Sequence, residues 1–178
     1  MKRFALTAIG RDKPGIVAAV AEALYRHDCN IEDSSMTILE DEFAIILVMS
    51  MPDGKAKRLL TKDLKKAEKA LDLSIHLKEL PEKGTAKSLP GSHIITLHGA
   101  DSPGIIYRTA DLLARLKINI TDLETKVIGE EHKAYMMIIE VSMPPGLAVD
   151  EVEERLRELG KTLGVTIRIK PVEAFEPL

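Results

Sequence analysis

The sequence predicts an α+β protein built from two copies of one βαββαβ unit, each an antiparallel sheet with both helices on one face. Three observations predict it. Residues 11–17, RDKPGIV, return at residues 100–106 as ADSPGII, a shift of 89. The same shift carries Thr7 onto Thr96, Gly10 onto Gly99, Ile16 onto Ile105, Ala21 onto Ala110, Leu24 onto Leu113, Asn30 onto Asn119 and Asp33 onto Asp122. Three extra residues follow in the second copy, and at a shift of 92 Ser50-Met51-Pro52 then falls on Ser142-Met143-Pro144 and Gly54 on Gly146. So many identities in one register mark a duplicated domain, and two copies are too few for a solenoid.

Each element follows in order. RFALTAI and HIITLH alternate as half-buried strands do. The first helix carries Ile16, Val20 and Leu24 at a spacing of four, and its counterpart carries Ile105, Leu112, Leu113 and Leu116. The loops HDCN and LKIN lead into the second strands. ILEDEF reads as a tight hairpin and VIGEEHKAY as a longer one with a glycine. FAIILVMS and AYMMIIEVS are apolar third strands, expected in the middle of the sheet. Leu60, Leu64, Ala67 and Leu71 line the second helix, and Val152, Leu156, Leu159 and Leu163 replace them in the second copy. Leu73, Ile75 and Leu77 close the first copy as a strand; Val165, Ile167 and Ile169 close the second. The predicted domains are 1–80 and 93–178, joined by the Pro- and Gly-containing linker 81–92. Packed in two layers, each copy is a ferredoxin-like sandwich. The sheet face without helices is left bare, and a second copy or a second chain is expected to cover it.

The bulk numbers agree with two small globular domains. The 178 residues are 45% hydrophobic and 30% charged. With no Trp, three Phe and three Tyr, the cores must be aliphatic. A net charge of −3 argues against direct DNA binding, which calls for a basic stripe. One cysteine, Cys29, excludes an internal disulfide and a cysteine metal cage. MKRFALTAIG turns polar too soon for a signal peptide. The longest apolar run, FAIILVMSM, is nine residues, far short of the ~20 that a membrane helix needs. A cytoplasmic protein with no membrane partner is expected.

The repeated corner is the candidate site. Its helix is expected to begin at Lys13 or Pro14, since proline suits the first helical position. Asp12 can cap the free backbone N–H groups, as can Ser102 in the second copy. Gly15 and Gly104 let other atoms approach the helix end. Capping and turn geometry alone would explain these residues. The same atoms also suit an α-amino acid: a helix N-terminus receives a carboxylate, and a nearby Asp or Asn accepts hydrogen bonds from an ammonium. Asn30 and Asn119 lie fifteen residues beyond the corner glycines. Their alternative role is a left-handed turn after the helix.

Other chemistries find little support. There is no nucleophile elbow and no phosphate loop. His93 and His98 are five apart, so on one strand they point to opposite faces and share no metal. His27, His76 and His132 are expected in solvated loop or surface positions. Cys29 reads as a small apolar packer. KAKRLLTKDLKKAEK is expected to be a solvated helix face, and its counterpart DEVEERLRELGK is acidic, which argues against a shared nucleic-acid role. The contrast could instead serve contact with another protein or chain.

The βαββαβ order, the D-x-P-G corner and the Asn-Ile opening the second strand resemble the ACT domain, a small regulatory module, over almost the whole chain. A tandem pair with no catalytic domain is similar to the glycine cleavage system transcriptional repressor family. The resemblance implies a non-enzymatic regulator without a cofactor that binds a small amino acid, such as glycine, between paired domains. It implies ligand contacts at Asp12, Lys13, Gly15, Ile16 and Asn30, and at Asp101, Ser102, Gly104, Ile105 and Asn119. It also implies homo-oligomers and a protein partner such as a transcription activator. Serine-binding members of the family place a His two residues before the corner's Asp or Asn; Gly10 and Gly99 stand there instead. A ligand-free scaffold, or a regulatory subunit of a separate enzyme, is the alternative.

Overall fold

The computed structural model describes residues 1–54, 57–81, 93–128 and 134–172. They fall into two compact units, Met1–Ala86 and Lys87–Leu178. All of the expected linker except Pro81 lies outside the described residues, as do residues 129–133 of the longer hairpin, His132 included.

The first unit runs β1 (Lys2–Arg11), α1 (Ile16–Tyr25), β2 (Asn30–Leu39), β3 (Glu42–Met51), α2 (Lys57–Leu71) and β4 (Leu73–Leu80). The second repeats it as β5 (His93–Ala100), α3 (Ile105–Arg115), β6 (Asn119–Ile128), β7 (Ala134–Ser142), α4 (Val149–Leu163) and β8 (Val165–Pro171). The sheets have the orders β2-β3-β1-β4 and β6-β7-β5-β8, and every neighbouring pair is antiparallel. The apolar third strands are central, as their composition predicts.

Alternation decides which face is buried. Phe4, Leu6 and Ala8 of β1 pack with Leu47, Met49 and Met51 of β3 beneath Val20 and Leu24 of α1 and Leu60 and Leu64 of α2. Ile95 and Leu97 do the same in the second unit with Met137, Ile139, Val141, Leu113, Val152 and Leu156. Each of the larger side chains contributes about 1.5–3 kcal/mol by leaving water, and Ala8 less. The opposite sheet faces carry no helix, and on them Ile9 and Ile46 remain about half exposed.

The duplication extends to the backbone. Asp28 and Lys117 have φ of 55° and 57° just before the second strand of each copy. Asp72 and Gly164 have φ of 56° and 68° between the last helix and strand. Both second strands shift register at the same step, Ile31/Asp33 and Ile120/Asp122. The first hairpin is tight, with Glu40 and Asp41 between β2 and β3 and Glu40 at φ 56°.

One expectation for the histidines is corrected. His27 is not a solvated loop residue: its Nε2 lies 3.0 Å from Asp63 Oδ2 and its side chain is only 13% exposed. The turn after α1 folds the imidazole back against α2, which presents Asp63. His76 is exposed on β4. Cys29 packs against the first core, and burial, with Asp28 beside it, raises its thiol pKa.

Candidate functional site

The corner is locked by backbone conformation, not by side-chain caps. α1 begins at Ile16, two or three residues later than the sequence suggests, because Gly15 occupies the N-cap with φ 99°. Gly104 does the same before α3 with φ 95°. Neither helix has a side-chain cap hydrogen bond, so the expected capping by Asp12 and Ser102 is overturned. The glycines also serve differently than expected. A Cβ at either would meet nothing within 4 Å, so space is not the constraint. The left-handed φ is, and L side chains rarely adopt it.

The arrangement leaves the helix ends chemically available. The Gly15 carbonyl accepts from Ala19 N–H at 2.9 Å, and the Gly104 carbonyl from Arg108 N–H at 2.9 Å. The N–H groups of the first turn have no partner inside the helix. Neither first turn carries an acidic residue, so no carboxylate there offsets the positive end of the helix dipole. Asp12 and Asp101 are exposed, and among the described residues neither carboxylate is in an ion pair. Lys13 and Ser102 are half-buried, while Ile16 and Ile105 turn into the cores. The Asp12 N–H donates to the Asp41 carbonyl at 2.8 Å, which ties the first corner to the tip of the β2–β3 hairpin.

The asparagines lie elsewhere in each copy. Asn30 opens β2 opposite Ser50, and Ser50 is opposite Arg3 at the start of β1. The corner follows Arg11, at the other end of β1, so about 25 Å of strand separates the two. Asn119 has the same place, opposite Ser142 at the far end of β7. One copy therefore does not bring its corner and its asparagine together, because the helix between them runs the length of the sheet. The turn reading of the asparagines also fails: the left-handed residues are Asp28 and Lys117, two positions earlier.

Gly10 and Gly99 have a steric cause. A Cβ at Gly10 would lie 2.7 Å from the Asp72 carbonyl oxygen, and one at Gly99 2.7 Å from a Val165 methyl. The last strand of each copy starts so close that no larger residue, histidine included, fits there.

Sequence reasoning passed over Tyr135 and Thr109. Tyr135 is 8% exposed with Thr125 acting on its hydroxyl, and Thr109 is fully buried with no hydrogen-bond partner for its hydroxyl among the described residues. Their counterparts are Phe43 and Val20, so an apolar-to-hydroxyl change at a core position of the repeat was the available signal.

No helix among the described residues is long and apolar enough to cross a membrane. An ACT domain model matches residues 2–78 and again 93–170. The chain is 29% identical over 157 residues to the glycine cleavage system transcriptional repressor of Escherichia coli, covering 86% of this chain and 82% of that one. A UPF0237 protein of Methanopyrus kandleri is 37% identical over 76 residues, 42% of this chain and 84% of its own. Among solved structures, an unknown protein from Galdieria sulphuraria superposes with a TM-score of 0.80 at 26% identity, over 97% of this chain and 99% of that one. The doubled corner, the β2-β3-β1-β4 order repeated as β6-β7-β5-β8 and the two matched segments lead to one conclusion: this chain belongs to the ACT domain family, as a tandem pair related to the glycine cleavage system transcriptional repressor.

Proposed function

We propose that the protein is a regulatory sensor of a small amino acid, glycine among the candidates, and that it acts on transcription of amino-acid metabolism through a protein partner. The observation that carries this reading is the doubled corner, where two glycine-locked helix ends offer free N–H groups to a carboxylate beside an unpaired Asp. A zwitterion fits that pairing of charges, because its carboxylate meets the helix end and its ammonium meets Asp12 or Asp101. Lys13, Gly15 and Ile16, with Ser102, Gly104 and Ile105, frame the seats. Asn30 and Asn119 join them only from another domain, of this chain or of a second one, since the copy that holds the corner keeps its own asparagine at the other end. The Escherichia coli relative is a glycine cleavage system transcriptional repressor, which supports the regulatory part.

Calorimetric titration with the twenty amino acids tests the reading. Saturable binding at millimolar ligand or below is expected, weakened by Asp12→Ala or Asp101→Ala without a matching fall in Tm. Silence from the folded protein would leave the scaffold reading instead.

A further inference from the structure

The second helices of the two copies carry opposite charge. α2 holds six Lys or Arg against two acidic residues, whereas α4 holds five acidic residues against three Lys or Arg. On α2 the charge is ordered. Arg58, Lys62, Lys65 and Lys69 follow at spacings of four, three and four, so they stand in one row away from the buried Leu60 and Leu64. All four are exposed, and the row runs about 16 Å along the axis. Lys57 lies 3.8 Å from Glu79 and Lys66 lies 2.7 Å from Asp63, but no cation of the row is in an ion pair among the described residues. The row works against its own helix. Like charges one turn apart repel, and a first turn with Lys57 and Arg58 and no acid opposes the helix dipole. Helix stability therefore does not account for it, and a counter-charge from outside would.

The complement lies on α4. Asp150, Glu154 and Glu158 are exposed at spacings of four, away from the buried Val152 and Leu156, over about 12 Å. Glu154 pairs with Arg157, while the Asp150 and Glu158 carboxylates are in no ion pair among the described residues. Lys161 lies beyond that run, three residues past Glu158. We infer that α2 of one chain docks on α4 of a second copy of the chain, with the Arg58–Lys69 row over the Asp150–Glu158 row. Each chain carries one of each surface, so two chains make the contact reciprocally about a two-fold axis. Exposed ion pairs are individually weak. The rows therefore set orientation and encounter rate, and they leave the association sensitive to salt.

Sedimentation of the full chain tests this. Association should weaken between about 0.01 M and about 1 M salt, as the Debye length falls from about 30 Å to about 3 Å. Lys62→Glu with Lys65→Glu, and separately Glu154→Lys with Glu158→Lys, should each weaken it at least about tenfold at low salt, since like charges then face each other. These side chains are exposed, so Tm should hold. The neutral pair Lys62→Gln with Lys65→Gln should weaken it less, and carries the test if a reversal costs stability. Mixing the two reversed variants should restore association, because each then meets the opposite charge at both rows. A chain that is monomeric at every salt concentration overturns the inference, as does association that survives either reversal. So does a mixture that stays apart, the result expected if the two rows met within one chain. A random-sequence DNA duplex held by the α2 row, with no self-association, overturns it in favour of a nucleic-acid face.

Discussion

The two copies agree in backbone and differ in side chains. Gly15 and Gly104 hold the same left-handed φ, Asp28 matches Lys117, and the register shifts fall at one step of β2 and β6. Yet Val20, Met36 and Phe43 become Thr109, Thr125 and Tyr135, and His27 with Asp63 becomes Leu116 with Arg155. The shared part is what the fold requires: a glycine where φ is positive and a gap where strands crowd. The variable part sits on that frame and can give each copy its own chemistry.

The largest effect expected on the shared part is at the crowded glycines. Gly10→Ala drives a methyl to 2.7 Å from a backbone carbonyl, which cannot rotate aside. Overpacking of this kind costs about 3 kcal/mol. Gly99→Ala meets the Val165 side chain first, and the expected loss is smaller. Thermal unfolding of the two variants checks that order, and equal losses would remove the distinction.

Next come the divergent floor residues. Phe43→Tyr puts a hydroxyl into a core cluster with Ile16 and Leu73 and is expected to cost about 1–3 kcal/mol. Tyr135→Phe removes a hydroxyl that only Thr125 engages and should cost less than about 1 kcal/mol. Denaturant midpoints measure both, and a larger loss in Tyr135→Phe would mean that the Thr125 contact is a strong bond.

The corner glycines follow. Gly15→Ala and Gly104→Ala meet no atoms but must hold a left-handed φ, at about 1–2 kcal/mol each. Equal losses are expected because the two φ values are 99° and 95°. Unequal losses would show that one corner relaxes.

The smallest effect belongs to the first copy alone. Lys66 at 2.7 Å, and then His27, hold the Asp63 carboxyl down to a pKa of about 2. A depressed carboxylate contributes stability above its unfolded pKa, near 4, and loses it as pH falls through the folded one. Asp63→Asn should therefore flatten the fall in stability between pH 4 and 2. Unfolding curves recorded at stepped pH read this directly, and an unchanged acid limb would count against the pair.

Much of this frame was legible in the sequence, because periodicity and the repeat both report local geometry. Ile16, Val20 and Leu24 show their spacing of four without any tertiary knowledge. The Glu40-Asp41 pair within ILEDEF likewise marks the first hairpin's turn. The corner's mechanism was not legible. Gly15 looks the same in a sequence whether it gives space or a positive φ, and Asp12 looks like a cap until the helix is seen to start at Ile16. Asn30 stands away from the corner because the helix between them runs back along the sheet, and the strand-helix-strand order already implied that. His27 reaches Asp63 across 36 residues, and such pairings come from packing. Tyr135 was hidden because a phenol and a phenyl occupy the same place in an apolar pattern.

The bond from Asp12 N–H to the Asp41 carbonyl has a practical outcome. That amide proton can trade with solvent deuterium only when the β2–β3 tip lifts from the corner. Its exchange rate therefore counts openings of a single latch, and a molecule that steadies the first seat slows that clock without touching the proton itself.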